Sequence, residues 1–127
     1  MNDQELTHSI IGAAIEVHRV LGPGLLESVY ELALEQEFIA ANIPFERQKP
    51  VPICYRGLIL DGGLRLDFIV GDELIVELKS VSQIMDIHEA QLLTYLKMTG
   101  CPVGLLINFN VRVLRRGIRR LVHEAPQ

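Results

Sequence analysis

The segment 64–80 constrains the fold most strongly, because its pattern is typical of two short strands joined by a turn. Apolar residues alternate on both sides of Gly71-Asp72-Glu73, a three-residue loop that contains glycine. This alternation predicts an antiparallel β-hairpin with one entirely hydrophobic face. The predicted pairs on that face are Leu66 with Leu78, Phe68 with Val76, and Val70 with Leu74.

The other face of the hairpin carries the charged residues. It is predicted to present Arg65, Asp67, Ile69, Ile75, Glu77 and Lys79. Asp67 lies directly opposite Glu77 in this register, with Cβ atoms about 5 Å apart. Two like charges at that distance are destabilising unless a cation lies between them. A divalent cation such as Mg²⁺ or Mn²⁺ would meet this need, and so would an ordinary surface salt bridge from Arg65 or Lys79.

Composition is that of one folded domain, predicted to span residues 1–127. The chain has 127 residues and a hydrophobic content of 49%, which is enough for a sizeable core. Cys54 and Cys101 form no CxxC pattern and are expected to be reduced, buried residues. A polar N-terminus argues against a secretory signal, and no apolar run approaches the about 20 residues of a membrane span. We therefore expect a cytoplasmic protein without membrane contact.

Basic residues are concentrated near the C-terminus, although the formal net charge is −4. Segment 111–121 contains five arginines and no acidic residue: Arg112, Arg115, Arg116, Arg119 and Arg120. Such a segment can contact phosphates. It can equally be an edge strand that its charges protect from aggregation.

The remaining pattern predicts an α/β fold. Helices are expected at 6–21, 25–41 and 86–99, and strands at 45–55, 58–60, 103–109 and 118–122, besides the hairpin. Pro50 and Pro52 make the strand 45–55 an edge strand or an irregular one. The sequence Asp61-Gly62-Gly63 predicts a turn before the hairpin.

Two further clusters lie on predicted helices. His88, Gln91 and Tyr95 are spaced so that they share one helix face. Gln91 and Tyr95 could orient a water molecule or hold a phosphate oxygen, or they could form ordinary structural hydrogen bonds. His88 alone is typical of a structural or surface residue.

The other cluster is Gly24-Leu25-Leu26-Glu27-Ser28-Val29-Tyr30, where Gly22-Pro23-Gly24 forms a turn before the second helix. Glu27 and Tyr30 share a helix face. A carboxylate in the first turn of a helix can also simply complement the helix dipole.

Together, these clusters resemble a known family. Gly24-x-x-Glu27-x-x-Tyr30 resembles the signature of the GxxExxY family, which is assigned to the PD-(D/E)XK nuclease superfamily. Asp67 with Glu77-Leu78-Lys79 resembles the D…ExK motif of that superfamily, and Gln91-x-x-x-Tyr95 resembles the QxxxY element of RecB-like nucleases. The resemblance covers residues 10–122. Leu66 departs from it, because the superfamily usually has proline before the aspartate.

The resemblance implies a restriction-endonuclease-like αβββαβ core with a mixed sheet flanked by helices. It also implies a Mg²⁺ or Mn²⁺ site formed by Asp67, Glu77 and the Leu78 carbonyl, with Glu27 as a further ligand, directly or through water. Lys79 would position or help deprotonate the attacking water and stabilise the charge that develops on the phosphate. Gln91 and Tyr95 would support the metal site or contact nucleic acid.

The expected function is metal-dependent hydrolysis of phosphodiester bonds in nucleic acid, with DNA favoured over RNA. The alternative is a catalytically silent module that binds nucleic acid or protein on the same fold. The small size of the chain, which leaves little surface to hold a duplex, favours this alternative. A third possibility is a protein that acts only as a homodimer or as an accessory subunit that takes its specificity from a partner.

Overall fold

The computed structural model describes residues 2–123, which form a mixed five-stranded sheet with helices on both faces. The elements are α1 (Asp3–Leu21), α2 (Glu27–Ala40), β1 (Phe45–Tyr55), β2 (Leu58–Val70), β3 (Leu74–Lys79), α3 (Asp86–Thr99), β4 (Val103–Asn108), a 3₁₀ turn (Leu114–Gly117) and β5 (Ile118–Val122). The predicted αβββαβ order is confirmed in the run from α2 to β4. Met1 and residues 124–127 of the predicted domain lie outside the described residues.

Strands follow the order β1-β2-β3-β4-β5, and only β3 and β4 are parallel. Helix α3 makes the crossover that two parallel neighbours require. The sheet has a core on each face. The first core packs α1 and α2 against the sheet, and the second packs α3 against the opposite face. Strand β4 is buried along its whole length, as its continuous apolar run predicts.

The hairpin register is confirmed for the pairs Phe68–Val76 and Val70–Leu74. Its turn occupies the three predicted residues between β2 and β3. Gly71 and Asp72 there have φ angles of 61° and 58°, so the turn uses the left-handed conformation that glycine adopts without strain.

The prediction of one continuous hydrophobic face is wrong at Leu66. Leu66 packs in the second core with Ile69 and Ile75, whereas Phe68 packs in the first. The side-chain alternation therefore shifts between Leu66 and Phe68. Gln48, which lies opposite this point in β1, has a left-handed φ of 54° and is skipped in the β1–β2 pairing. This local irregularity explains the shift, because strict alternation requires regular strands.

The prediction of a turn at Asp61-Gly62-Gly63 is also wrong, since β2 runs without interruption from Leu58 to Val70. The register with β1 shifts between Val51 and Ile53. Gly62 has a φ of 76°, so the glycines accommodate an irregularity inside a long strand instead of ending it. Strand β1 is an edge strand, as predicted. The outer part of this β1–β2 arm exposes Tyr55, Leu58, Ile59 and Leu60.

Helix boundaries differ from the predictions where capping and loop contacts were not foreseen. Helix α1 begins at Asp3, because the Asn2 side chain accepts a hydrogen bond from the Glu5 N–H (2.8 Å). Helix α2 begins at Glu27, two residues later than expected. Helix α3 has the predicted bounds and ends at Gly100, whose φ is 77°.

Only one of the two cysteines is buried as expected. Cys101 is 4% exposed, whereas Cys54 lies exposed on the β1–β2 arm, and both are free thiols. Within residues 2–123, no helix combines the length and the apolar character needed to span a membrane.

Candidate active site

Asp67 and Glu77 face each other where the β2–β3 pairing ends. The Asp67 N–H donates to Glu77 Oε1 (3.1 Å), and the Leu78 N–H donates to Asp67 Oδ2 (2.9 Å). Each carboxylate thus accepts a backbone N–H from the opposite strand. These reciprocal bonds hold the two carboxyl groups side by side, as the hairpin register predicts.

Glu77 is buried, with 8% of its surface exposed. Burial raises the pKa of Glu77 to about 9, and the charge of Asp67 contributes in the same direction. The hydrogen bond from the Asp67 N–H and the charge of Lys79 oppose this rise in the pKa but do not cancel it. Two adjacent ionised carboxylates are therefore unfavourable at this position in the absence of a cation.

Lys79 is half-buried on the same strand, two residues beyond Glu77. Among residues 2–123, neither Lys79 nor Arg65 has a carboxylate within the 4.0 Å of an ion pair. The surface salt bridge that could have explained the acidic pair is thus not formed. Lys79 still lowers the pKa of both Glu77 and Glu27 through its charge, so its ammonium group lies near them.

The segment after Lys79 is held by Asn108 at the end of β4. Asn108 Nδ2 donates to the Val81 carbonyl (2.9 Å), and its Oδ1 accepts from the Val81 N–H (3.1 Å). The side chain is 1% exposed. Lys79 and Asn108 are also paired across the parallel strands. Asn108 therefore fixes the direction in which the chain leaves the site.

Tyr30 holds the loop between α1 and α2. Its hydroxyl donates to the Gly22 carbonyl (2.6 Å) and accepts from the Leu25 N–H (3.1 Å). The ring is fully buried and stacks on Phe109 with centroids 4.5 Å apart. The Leu25 carbonyl then accepts from Ser80 Oγ (2.6 Å). Tyr30 is thus a structural residue that connects this loop to the residue after Lys79.

Glu27 occupies the first position of α2 beside this loop. Partial desolvation raises the pKa of Glu27, and the charge of Asp67 adds to the effect. The structure therefore brings Glu27 into the neighbourhood of Asp67 and Lys79.

A second acidic pair, Glu31 and Glu35, was not singled out by the sequence. Arg47 donates to Glu31 Oε2 (3.1 Å) and to Glu35 Oε2 (2.9 Å). Gln48 Nε2 donates to Glu31 Oε1 and, more distantly, to Asp67 Oδ1 (3.5 Å). Glu31 follows Glu27 by four residues on the same helix face, which is the one sequence signal for it. The left-handed Gln48 that links the two acidic pairs has no such signal.

Gln91 and Tyr95 lie on α3. Desolvation raises the pKa of the half-buried Tyr95, and the charges of Glu77 and Asp67 raise this pKa further. A hydrogen bond with Gln91 lowers the pKa of Tyr95 but does not cancel the rise. Tyr95 therefore lies near the acidic pair, and Gln91 lies next to Tyr95 on the same helix. His88 does not join them in hydrogen bonding, because its Nδ1 accepts from the Met85 N–H (2.9 Å) at the start of α3.

The five arginines are exposed but do not form one stripe. Arg119 is paired with Leu106, and Leu106 with Glu77, so these three side chains share one sheet face. Arg120 is paired with Leu105 and lies on the opposite face, toward α1. Arg115 and Arg116 belong to the 3₁₀ turn before β5, and Arg112 lies in the loop before that turn.

A comparison with protein families finds a match over most of the chain. A family model described as the PD-(D/E)XK nuclease superfamily matches residues 4–121. The chain belongs to the PD-(D/E)XK nuclease superfamily. No curated protein and no solved structure matches it significantly.

Membership of this nuclease superfamily agrees with the mixed sheet flanked by helices and with a role in nucleic-acid chemistry. PD-(D/E)XK nucleases generally use divalent metal ions. In this chain, Leu66 replaces the usual proline before Asp67. It is fully buried in the second core, so packing holds the residue before the aspartate.

The donor set suits a hard divalent cation, because Asp67 and Glu77 provide adjacent carboxylate oxygens whose mutual repulsion such an ion would offset. Within residues 2–123, no group of three or more His, Cys, Asp and Glu side chains lies close enough to hold a metal ion. Glu27 therefore does not complete a three-residue cluster with this PD-(D/E)XK pair in the conformation described.

Proposed function

We propose that this chain is a metal-dependent nuclease that hydrolyses phosphodiester bonds. The observation that carries the proposal is the pair formed by half-buried Asp67 and buried Glu77, which lacks an ion-pair partner among residues 2–123 although a lysine lies beside it. An unneutralised pair with a buried member costs stability. Its presence is explained if it binds a cation needed for catalysis.

Asp67, Glu77 and the Leu78 carbonyl would hold Mg²⁺ or Mn²⁺, with Glu27 contributing directly or through water. When bound, such an ion lowers the pKa of water and polarises a phosphoryl oxygen. Both carboxylates must be ionised to bind it, and the hydrogen bond from the Asp67 N–H favours that form of Glu77.

Lys79 places a positively charged side chain of the protein beside the proposed metal site. No carboxylate neutralises it within ion-pair distance among residues 2–123, so its ammonium group is available to stabilise negative charge on the phosphate or to position the attacking water. Tyr95, oriented by Gln91, lies on the α3 side of the acidic pair and can donate a hydrogen bond to a phosphate oxygen or to water.

The test is cleavage of single- and double-stranded DNA and RNA with Mg²⁺ or Mn²⁺ present. We expect cleavage by the wild type, with DNA cut faster than RNA, as the likeness to RecB-like nucleases suggests. Asp67→Ala should abolish it and Lys79→Ala should reduce it by about 100- to 1000-fold, while Lys97→Ala, which removes an exposed lysine from α3, should leave it unchanged. Cleavage that survives in both site variants, or that is absent under every condition, would overturn the proposal.

A second candidate is a catalytically silent module that binds nucleic acid or protein. The observation that favours it is the lack of a third carboxylate close to Asp67 and Glu77 within residues 2–123. Oligonucleotide binding that depends on the C-terminal arginines, that EDTA does not weaken and that yields no product would support this candidate over the nuclease.

We also propose that the chain belongs to the GxxExxY group within its superfamily. Gly24 and Tyr30 support this, because the Tyr30 hydroxyl closes the loop that contains Gly24 and this loop contacts Ser80 beside Lys79. We further propose that residues 1–127 are one domain and that the protein is cytoplasmic, where both free cysteines stay reduced. A homodimer or an accessory role also remains a prediction, which light scattering at micromolar concentration would test.

A further inference from the structure

A groove separates the outer surface of α1 from the edge strand β5. Arg120 and Arg115 line it on the β5 side, and His8, Ile11 and Gly12 line it on the α1 side. It continues along α1 past Thr7 and Gln4. Arg120 belongs to both parts. The groove thus combines two guanidinium groups with polar and apolar side chains, on the sheet face opposite the Glu77 row.

Thr7 marks this groove as more than a charged surface. Thr7 is 8% exposed, and its buried Oγ1 has no hydrogen-bond partner among the described residues. A buried hydroxyl without a partner is unfavourable, and native structures contain few of them. Thr7 lines the groove, and rotation about its χ1 would turn the hydroxyl toward it, where a ligand oxygen would be its acceptor.

Gly12 is the second unusual residue of the groove. It lies in the middle of α1, where glycine is less favourable than alanine. A Cβ at this position would meet no atom within 4 Å, so neither packing nor backbone conformation requires a glycine. The missing side chain does keep the groove open, which allows a ligand to approach the helix closely.

The positions of Arg119 and Arg120 suggest how such a ligand would reach the groove. Arg119 and Arg120 are consecutive residues of β5 whose side chains lie on opposite sheet faces. Arg119 shares its face with Glu77, and Arg120 lines the groove. A polyanion that crosses the free edge of β5 would contact one arginine on each side.

We propose that the α1–β5 groove binds a phosphodiester of the nucleic-acid chain outside the active site. This inference rests on the proposed function, since it assumes that nucleic acid is the substrate. Arg120 and Arg115 pair with the phosphate oxygens, and the Thr7 hydroxyl donates to one of them. The groove holds substrate and takes no part in bond cleavage.

The test is fluorescence anisotropy of a labelled oligonucleotide in EDTA, where binding is measured without cleavage. Arg120→Ala should raise the Kd about tenfold and reduce the slope of log K against log salt by about 0.7–0.9. Gly12→Leu, which fills the groove without changing charge, should weaken binding to a similar extent. Thr7→Val should weaken it less.

Two matched controls separate the groove from general electrostatics. Lys49→Ala removes one positive charge from β1, at the opposite edge of the sheet, and should change the Kd less than twofold. Gly12→Ala adds only a methyl group and should bind better than Gly12→Leu, with an unchanged circular dichroism spectrum in both. Equal losses for Arg120→Ala and Lys49→Ala, or full binding by folded Gly12→Leu, would overturn the inference.

Competition identifies the ligand class. An unlabelled oligonucleotide should displace the probe at lower concentration than poly-L-glutamate of the same charge, and equal displacement would overturn the assignment to phosphodiesters.

The inference and the proposed function can fail separately. Groove variants that lose binding in a protein without cleavage activity would overturn only the nuclease, whereas a wild type that cleaves and groove variants that bind normally would overturn only the groove.

Discussion

Two acidic pairs lie close together in this molecule, and among the described residues only one of them is neutralised by an arginine. Glu31 and Glu35 on α2 share Arg47. Its Nη1 lies 3.1 Å from Glu31 Oε2, and its Nε lies 2.9 Å from Glu35 Oε2. Asp67 and Glu77 have no ion pair within the described residues, although they are linked to Glu31 through Gln48. The same fold can thus provide an arginine to one acidic pair and leave the other open. The proposed metal site accounts for this difference, because a bound cation would neutralise the second pair.

The largest expected effect comes from removing Lys79, the cation that lies beside Asp67 and Glu77. Lys79→Ala should reduce cleavage by about 100- to 1000-fold, the usual loss when one charge-stabilising donor is removed. Its thermal midpoint should stay close to that of the wild type, because Lys79 forms no ion pair among residues 2–123. Single-turnover cleavage with circular dichroism melting would measure both. A Lys79→Ala variant that cleaves normally would mean that Lys79 is not catalytic.

Glu77→Gln tests whether the open pair is costly without metal. The pKa of Glu77 is about 9 in the folded protein, whereas its ordinary value is 4.5. Between pH 4.5 and pH 9, the folded state therefore holds a proton on Glu77 that the unfolded state has lost. The contribution of Glu77 to the free energy of unfolding is complete below pH 4.5 and falls by about 1.4 kcal/mol per pH unit as the pH rises to 9. In EDTA, Glu77→Gln should therefore gain stability over the wild type as the pH rises.

Saturating Mn²⁺ should reverse this order, because only the wild type gains stability from binding the ion to both carboxylates. Urea unfolding at pH 5, 7 and 8.5, with and without metal, would measure the effect. A stability difference that does not change with pH would contradict the high pKa of Glu77.

Arg47→Met removes the arginine that neutralises Glu31 and Glu35. These two carboxylates should then destabilise the fold, as Asp67 and Glu77 do without a cation. Glu31 is 9% exposed and would lose its cation, so the thermal midpoint should fall by a few degrees. Adding Glu31→Gln should recover much of this loss, since the uncompensated charge is then removed. No recovery in the double variant would show that Arg47 stabilises by packing and not by charge.

Tyr30→Phe asks whether the loop that contacts Ser80 helps to place Lys79. The variant keeps the ring stacked on Phe109 but loses both hydrogen bonds of the hydroxyl, at a cost of about 1–3 kcal/mol. We expect kcat to fall several-fold with KM unchanged, because Lys79 would be displaced while substrate contacts remain. Unchanged kcat would limit Tyr30 to stability alone.

Much of this arrangement follows from patterns visible in the sequence. The alternation around Gly71 correctly predicts the turn and places Asp67 beside Glu77, because register in a hairpin is set by its apolar residues and its loop. The bounds of α3 follow equally well from its apolar spacing and from Gly100. These are local signals, which a single segment of chain contains in full.

The features that the sequence did not predict depend on contacts between distant segments. The side-chain shift at Leu66 requires a left-handed Gln48 in another strand, and no residue preference announces it. Arg47 meets Glu31 only after β1 packs beside α2. The division of Arg119 from Arg120 also needs the β5 register, since five arginines in one segment resemble a single basic surface.

The two prolines of β1 have a consequence for how copies of this protein meet. A sheet edge with free N–H and C=O groups can recruit a strand from another chain, but Pro50 and Pro52 lack the N–H donor, and the register shift after Val51 interrupts the edge further. At the other edge, Arg119 and Arg120 would bring like charges together if two β5 strands paired. Both borders of the sheet thus oppose its growth into an intermolecular sheet or fibril. Any dimer should therefore form through helices or through the apolar β1–β2 arm.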